Sequence, residues 1–150
     1  MKDRYSQSEL DELLASTQPR VGWDFSRMST LQAPAPWEYS EVVARYLKPS
    51  DEVLDIGTGG GERFAAMASR FWRGLGVDID PEMIALAAQT YSGRNLEFRV
   101  CSARLEGVAT SFPVIINRHA TLDLLAVTEH LKPGGYFISR NRARRSPRAC

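Results

Sequence analysis

Apolar and polar positions follow two rhythms along this chain, and the change between them falls near residue 50. Before it, apolar residues recur at helical spacing. SQSELDELLAST sets Leu10, Leu13 and Leu14 on one face, with Ser6 and Glu9 spaced as a capping box. The stretch QPRVGWDFSRMSTLQAPAPW is rich in breakers and aromatics and predicts an irregular loop. Pro36 then opens a helix whose stripe is Tyr39, Val42, Val43, Tyr46 and Leu47, closed by Lys48-Pro49.

After residue 50, short apolar runs alternate with amphipathic ones. DEVLDIG predicts a strand, and GGERFAAMASRF a helix presenting Phe64, Met67, Ala68 and Phe71. RGLGVDI predicts the next strand, followed by the helix PEMIALAAQTY, for which Asp80 is the N-cap and Pro81 the first helical residue. NLEFRV and PVIIN predict two more strands, TLDLLAVTEHL a helix, and YFIS a last strand after the turn KPGG. The pattern is that of an α/β fold: a Rossmann-like, doubly wound parallel sheet of about five strands. Right-handed crossovers collect the loops after the strands along one edge, where ligands of such folds bind.

Composition changes this picture little. A hydrophobic share of 43% and a charged share of 25% exclude wholesale disorder. No apolar run reaches the length of a membrane span, and MKDRYSQSELDE carries no secretory pattern. Cys101 and Cys150 fit neither a metal spacing nor a disulfide framework, so a cytoplasmic protein without a metal is expected. Charge is more informative. Arg140, Arg142, Arg144, Arg145 and Arg148 crowd the end of the chain, and removing those five turns a net charge of +1 into −4. The body is mildly acidic, which disfavours nucleic acid as a partner.

The candidate chemistry centres on VLDIGTGGGE. Gly57, Gly59 and Gly61 are spaced G-x-G-x-G between a strand and a helix, where glycine permits positive φ and close approach of a ligand. A dinucleotide loop would place its last glycine where Glu62 stands, and a Walker loop would need G-K-[ST]. Asp55 and Glu62 bracket the loop with negative charge, which repels a pyrophosphate. One strand later Asp78 takes the position from which an acid accepts both hydroxyls of a ribose. A nucleoside with a cationic or zwitterionic attachment satisfies all of these features.

VLDIGTGGGE, GVDIDPEMIALA, INRH and EHLKPGGYFIS, in this order across roughly residues 36 to 140, resemble the class I S-adenosylmethionine-dependent methyltransferase family. GWDFSRM and PWEYSEVV also look like the cap region of a bacterial subgroup of that family. The resemblance implies S-adenosyl-L-methionine as cofactor. Asp55 and the backbone of Gly57, Thr58, Gly59 and Gly61 would line its methionine portion, Asp78 would hold the ribose, and Ile79 would lie against the adenine. Ser102 stands where many relatives carry an acid that contacts the adenine amino group, and serine accepts a hydrogen bond more weakly. Asn117 (which would also contact the cofactor), Arg118 and His119 follow the fourth strand, where methyl group and acceptor meet.

Each of these residues also has a plainer reading. His119 is either a general base or a hydrogen-bonded wall residue. Arg118 either orients an acidic substrate or forms an ion pair beside the site. Trp23 and Phe25 are either part of a lid or a hydrophobic staple. Domain boundaries are expected at 1–35 (helix and cap loop), 36–140 (cofactor-binding domain) and 141–150 (basic, disordered tail). The family fold continues beyond its fifth strand with a helix and two antiparallel strands, and NRARRSPRAC carries no such pattern. A shortened form is therefore expected, with an exposed sheet edge that invites self-association. The expected activity is methyl transfer to a small-molecule acceptor, and the alternative is a truncated, non-catalytic module that at most binds the cofactor.

Overall fold

The computed structural model describes residues 37–91 and 93–141. The expected N-terminal helix, the aromatic loop with Trp23 and Phe25, and the arginine-rich tail lie outside the described residues. The elements are α1 (Tyr39–Ala44), β1 (Glu52–Ile56), α2 (Glu62–Ala66), a 3-10 turn (Ala68–Arg70), β2 (Arg73–Asp78), α3 (Pro81–Tyr91), β3 (Leu96–Val100), β4 (Phe112–Arg118), α4 (Leu124–His130) and β5 (Leu131–Arg140). The five strands form one parallel sheet in the order β3-β2-β1-β4-β5. The α/β architecture expected from the alternation is the one observed.

Side chains leave a strand on alternate faces, so each strand of this sheet divides its apolar residues between two cores. Val53, Val114 and Ile116 pack on one face with Tyr39, Val43, Phe64, Met67 and Phe71. Leu54, Ile56, Leu75, Val77 and Ile115 pack on the other with Leu105, Ala126 and Val127. On the first face β2 offers only Gly74 and Gly76. A Cβ on Gly74 would press into Phe64 and Phe71, and one on Gly76 into Phe98 and the Thr58 hydroxyl. Two missing side chains thus make room for three aromatic rings.

The expected helix over residues 60–71 is broken. It ends at Ala66, and the 3-10 turn carries the chain to an extended Phe71. Seven residues of continuous helix would separate Phe64 and Phe71 by about 10 Å along the axis. The tightened turn instead stacks their rings at 5.3 Å. The last strand also differs from expectation, since it runs from Leu131 and not from Tyr136. Leu131 pairs with Phe112 and Tyr136 with Val114, so Lys132–Gly135 bulge out within the strand. Capping at Asp80 follows the sequence: its Oδ1 accepts from the N–H groups of Glu82 (2.9 Å) and Met83 (3.4 Å).

Strand order reverses at β1, whose neighbours are β2 and β4. In open α/β sheets ligands bind beyond the carboxyl ends of strands at such a reversal.

Candidate functional site

The loop after β1 lies at that reversal, and its geometry begins with three left-handed glycines, Gly57 (φ 75°), Gly59 (φ 59°) and Gly61 (φ 80°). The loop's amides are largely engaged within the protein. Gly57 and Thr58 both donate to the Val77 carbonyl, at 2.8 and 3.0 Å, and Gly61 donates to the Thr58 carbonyl at 3.1 Å. Gly59 donates to Oδ2 of Asp78 at 2.9 Å. A phosphate cradle needs these N–H groups pointing outward at the anion. Here four of them are already paired, so the loop is a poor polyanion site, as its bracketing acids suggest.

Asp78 closes β2. Besides the Gly59 amide it accepts the Asp80 N–H at Oδ1, 3.0 Å away. Two backbone donors therefore fix the carboxylate while leaving each oxygen a further lone pair. Asp55, on β1, is buried. Desolvation, opposed by the Thr58 hydroxyl and reinforced by the charge of Asp78, pushes its carboxyl up to about 7. The Thr58 Oγ1 is itself buried and has no hydrogen-bond partner at ordinary geometry. Ile79 is 74% exposed just past Asp78. The Cys101 N–H donates to the Asp78 carbonyl (2.8 Å), which draws the end of β3, and Ser102 after it, alongside β2. The Ser102 hydroxyl accepts from the Arg104 N–H at 3.2 Å.

At the other side of the reversal, β4 ends in Asn117 and Arg118. Asn117 is fully buried, with Nδ2 donating to the Ile56 carbonyl (3.2 Å) and Oδ1 accepting from Ser139 Oγ (3.3 Å). Its amide straps the ends of β1, β4 and β5 together. Its carbonyl accepts the Tyr39 hydroxyl at 3.1 Å. Burial, followed by the negative charge of Asp55, raises the Tyr39 phenol well above its usual range, and Arg118 works in the opposite direction. Arg118 is half-buried, and its Nε has no hydrogen-bond partner. His119 is exposed, takes a left-handed backbone (φ 63°) and donates its N–H to the Arg140 carbonyl at 2.9 Å.

The carboxyl ends of the strands thus gather Asp55, the glycine loop, Asp78, Ile79, Ser102, Asn117, Arg118 and His119 along one edge of the sheet, while Trp23 and Phe25 lie outside the described residues. Sequence reasoning placed Tyr39 only in a helical stripe and Arg140 only in a basic tail. The strand register that sets Arg140 beside Arg118 leaves no trace in composition or periodicity. Among the described residues, no helix is long and apolar enough to cross a membrane, and no group of His, Cys, Asp and Glu could hold a metal ion.

Comparison with known proteins agrees with this geometry. Residues 53–135 match the family described as "Methyltransferase domain". A ribosomal protein L11 methyltransferase of Thermus thermophilus is 33% identical over 101 residues, covering 63% of this chain and 40% of that protein. A ubiquinone biosynthesis O-methyltransferase of Xanthomonas campestris pv. campestris is 29% identical over 150 residues, covering 90% of this chain and 61% of its own length. The chain therefore spans between 40% and 61% of these two relatives. Among solved structures, CalS10 with bound S-adenosylmethionine, an amino pentose methyltransferase from Micromonospora echinaspora, shares the fold at a TM-score of 0.60. It is 21% identical, with 69% of this chain and 50% of that one covered.

Proposed function

Because the chain belongs to the class I S-adenosylmethionine-dependent methyltransferase family, we propose that it transfers a methyl group from this cofactor to a small-molecule acceptor beyond β4. The residues present fit the cofactor. The loop amides are engaged internally and need no polyanion, and Asp78 is an acceptor already fixed in place. When bound, S-adenosylmethionine supplies an electrophilic methyl group on a sulfonium.

Asp78 is assigned to the ribose diol, for which an acceptor-only group suits two donors. Asp55 and the backbone of Gly57, Thr58, Gly59 and Gly61 are assigned to the methionine portion, whose ammonium an acid attracts. Ile79 offers apolar surface to the adenine, and Ser102 offers its edge a hydroxyl. Asn117 acts from behind by holding the ends of β1, β4 and β5, and so sets where Arg118 and His119 stand. The remaining work is alignment and exclusion of water, which can supply most of the acceleration of a displacement at carbon. His119 is the group placed to take a proton from the acceptor, if the acceptor must lose one. A small molecule is favoured as acceptor by the acidic balance of the body.

The observation that carries this reading is the glycine loop locked through the Gly59 amide onto Asp78, a nucleoside site without a phosphate cradle. Calorimetric titration with S-adenosylmethionine and S-adenosylhomocysteine tests it, and absence of heat at high micromolar ligand defeats it. A second reading, a module that binds the cofactor without turnover, draws on the weak acceptor at Ser102. Binding accompanied by no methyl transfer to any of a panel of phenols, amines and carboxylic acids would favour that reading.

A further inference from the structure

Two arginines meet at the corner of the sheet beyond β4. Arg118 and Arg140 are register partners that close β4 and β5, so their side chains leave the same face side by side. Like charges so placed repel. Arg63, in the first turn of α2, adds a third charge. Burial first, then the charges of Arg63 and Arg140, holds the Arg118 guanidinium below its usual range. Glu38 is the carboxylate that acts on Arg118, but it forms no salt bridge with it. Among the described residues the ion pairs are Arg73–Glu97 and Arg99–Glu97, both elsewhere. The Nε of Arg118 is buried without a partner. Arg140 is seated over the Trp37 ring, 5.1 Å from guanidinium carbon to ring centroid.

A fold gains nothing by setting two guanidinium groups side by side with a buried, unused N–H donor. A ligand oxyanion would answer both faults, since guanidinium groups bind carboxylate and phosphate in paired hydrogen bonds. Two oxyanions could come here, one on the acceptor and the other the carboxylate of the cofactor's own methionine portion. The placement favours the acceptor. Arg118 and Arg140 close β4 and β5, and in the strand order β3-β2-β1-β4-β5 the strand β1 stands between them and Asp78 at the end of β2.

We propose that Arg118 and Arg140 form a binding site for an oxyanion carried by the methyl acceptor, so that the substrate is a small carboxylic acid or phosphate ester. This inference rests on the methyltransferase reading and adds the substrate class to it. Arg118 is the central ligand, and Arg140 is held for the same task by Trp37.

The test uses the full chain saturated with S-adenosylhomocysteine and titrated with benzoate, inorganic phosphate and the neutral isostere benzamide. Benzoate or phosphate is expected to bind at least about tenfold more tightly than benzamide, and Arg118→Gln to remove that preference. Arg140→Gln, at the strand end, is the companion variant should Arg118→Gln fail to fold, and it is expected to weaken anion binding severalfold. Arg118→Lys, which keeps the charge but not the fork, is expected to recover only part of the loss. Benzoate and phosphate both binding no more tightly than benzamide overturns the proposal. So does benzoate competing with S-adenosylhomocysteine, or arginine variants that weaken S-adenosylhomocysteine as much as benzoate, because the anion served would then be the cofactor's. Binding of S-adenosylhomocysteine without anion preference removes this inference and leaves the methyltransferase reading standing. Failure of S-adenosylhomocysteine itself to bind removes both.

Discussion

Two residues at the end of β1 concentrate the physics of the site. Asp55 has its carboxyl raised from 3.8 to about 7 by burial, with Asp78 adding to the shift and Thr58 opposing it. A group whose folded value lies above its unfolded one leaves stability intact below the unfolded value and removes it as pH rises through the folded one. Between pH 4 and 8 this acid should therefore cost native stability, at most roughly 4 kcal/mol at 1.36 kcal/mol per unit. Asp55→Asn is expected to be more stable than the parent toward urea at pH 8, and the gap should close near pH 4. A gap that persists at pH 4 would show that the buried charge is not its cause. If the same acid meets the cofactor's ammonium as proposed, cofactor binding is linked to protons. An ammonium brought beside Asp55 favours its ionised form, so S-adenosylmethionine should release a fraction of a proton at pH 7. Calorimetry in buffers of different ionisation enthalpy measures this, and heats independent of the buffer would rule the link out. Gly57 is constrained in two ways, by φ 75° and by Ala120, whose methyl group occupies the place a Cβ would take. Gly57→Ala should cost on the order of 2 kcal/mol for the left-handed backbone and the displaced Ala120. Thermal unfolding reads that loss, and an unchanged midpoint would mean that the two loops do not touch in solution.

Elements were legible in the sequence to the extent that local chemistry decides them. Asp80-Pro81 specifies its own cap, and the runs DEVLDIG and PVIIN can only be strands buried on both faces. The helix over 60–71 was misjudged because its break is imposed from outside, by the need to stack Phe71 on Phe64 across Gly74. Leu96, Phe98 and Val100 alternate along β3, yet Val100 is 52% exposed. β3 is an outer strand of the sheet, and nothing in its own pattern says so. In the site, Asp55, the glycines and Asp78 announce themselves by spacing. The strap at Asn117 does not, because its partners are 61 and 22 residues away. Replacing it should show its worth. Asn117→Leu leaves the Ile56 carbonyl buried without a donor and should cost about 2 kcal/mol, whereas Ser139→Ala should cost under about 1 kcal/mol. Denaturant titration of the two variants checks the ranking, and the reverse order would place the strap's energy elsewhere.

At the scale of the molecule, the sheet is finished on its faces and open at its sides. Both faces of β1 and β4 are covered, while among the described residues β3 and β5 each have a neighbour on one side only. An edge strand presents unpaired N–H and C=O groups that another chain can extend. β5 softens this hazard in part, through the bulge of Lys132–Gly135 and through Arg140 at its end. It also carries exposed apolar surface, with Tyr136 48% exposed and in ring contact with Tyr46 at 4.8 Å. Opposing tendencies of this size predict weak, reversible association through β5. Sedimentation velocity over a wide range of concentration should show a monomer in exchange with a larger species. Tyr136→Lys, which places a charge on the edge, should shift that exchange toward monomer without altering S-adenosylhomocysteine affinity. The separation of the two readouts is what the topology requires. The loops of β1 and β2 assigned to the cofactor meet on the far side of the β1–β4 reversal from β5, so blocking the edge leaves them as they were. If Tyr136→Lys instead weakened S-adenosylhomocysteine, the edge and the cofactor loops would be one cooperative unit, and β5 would have to be counted among the elements that build the site.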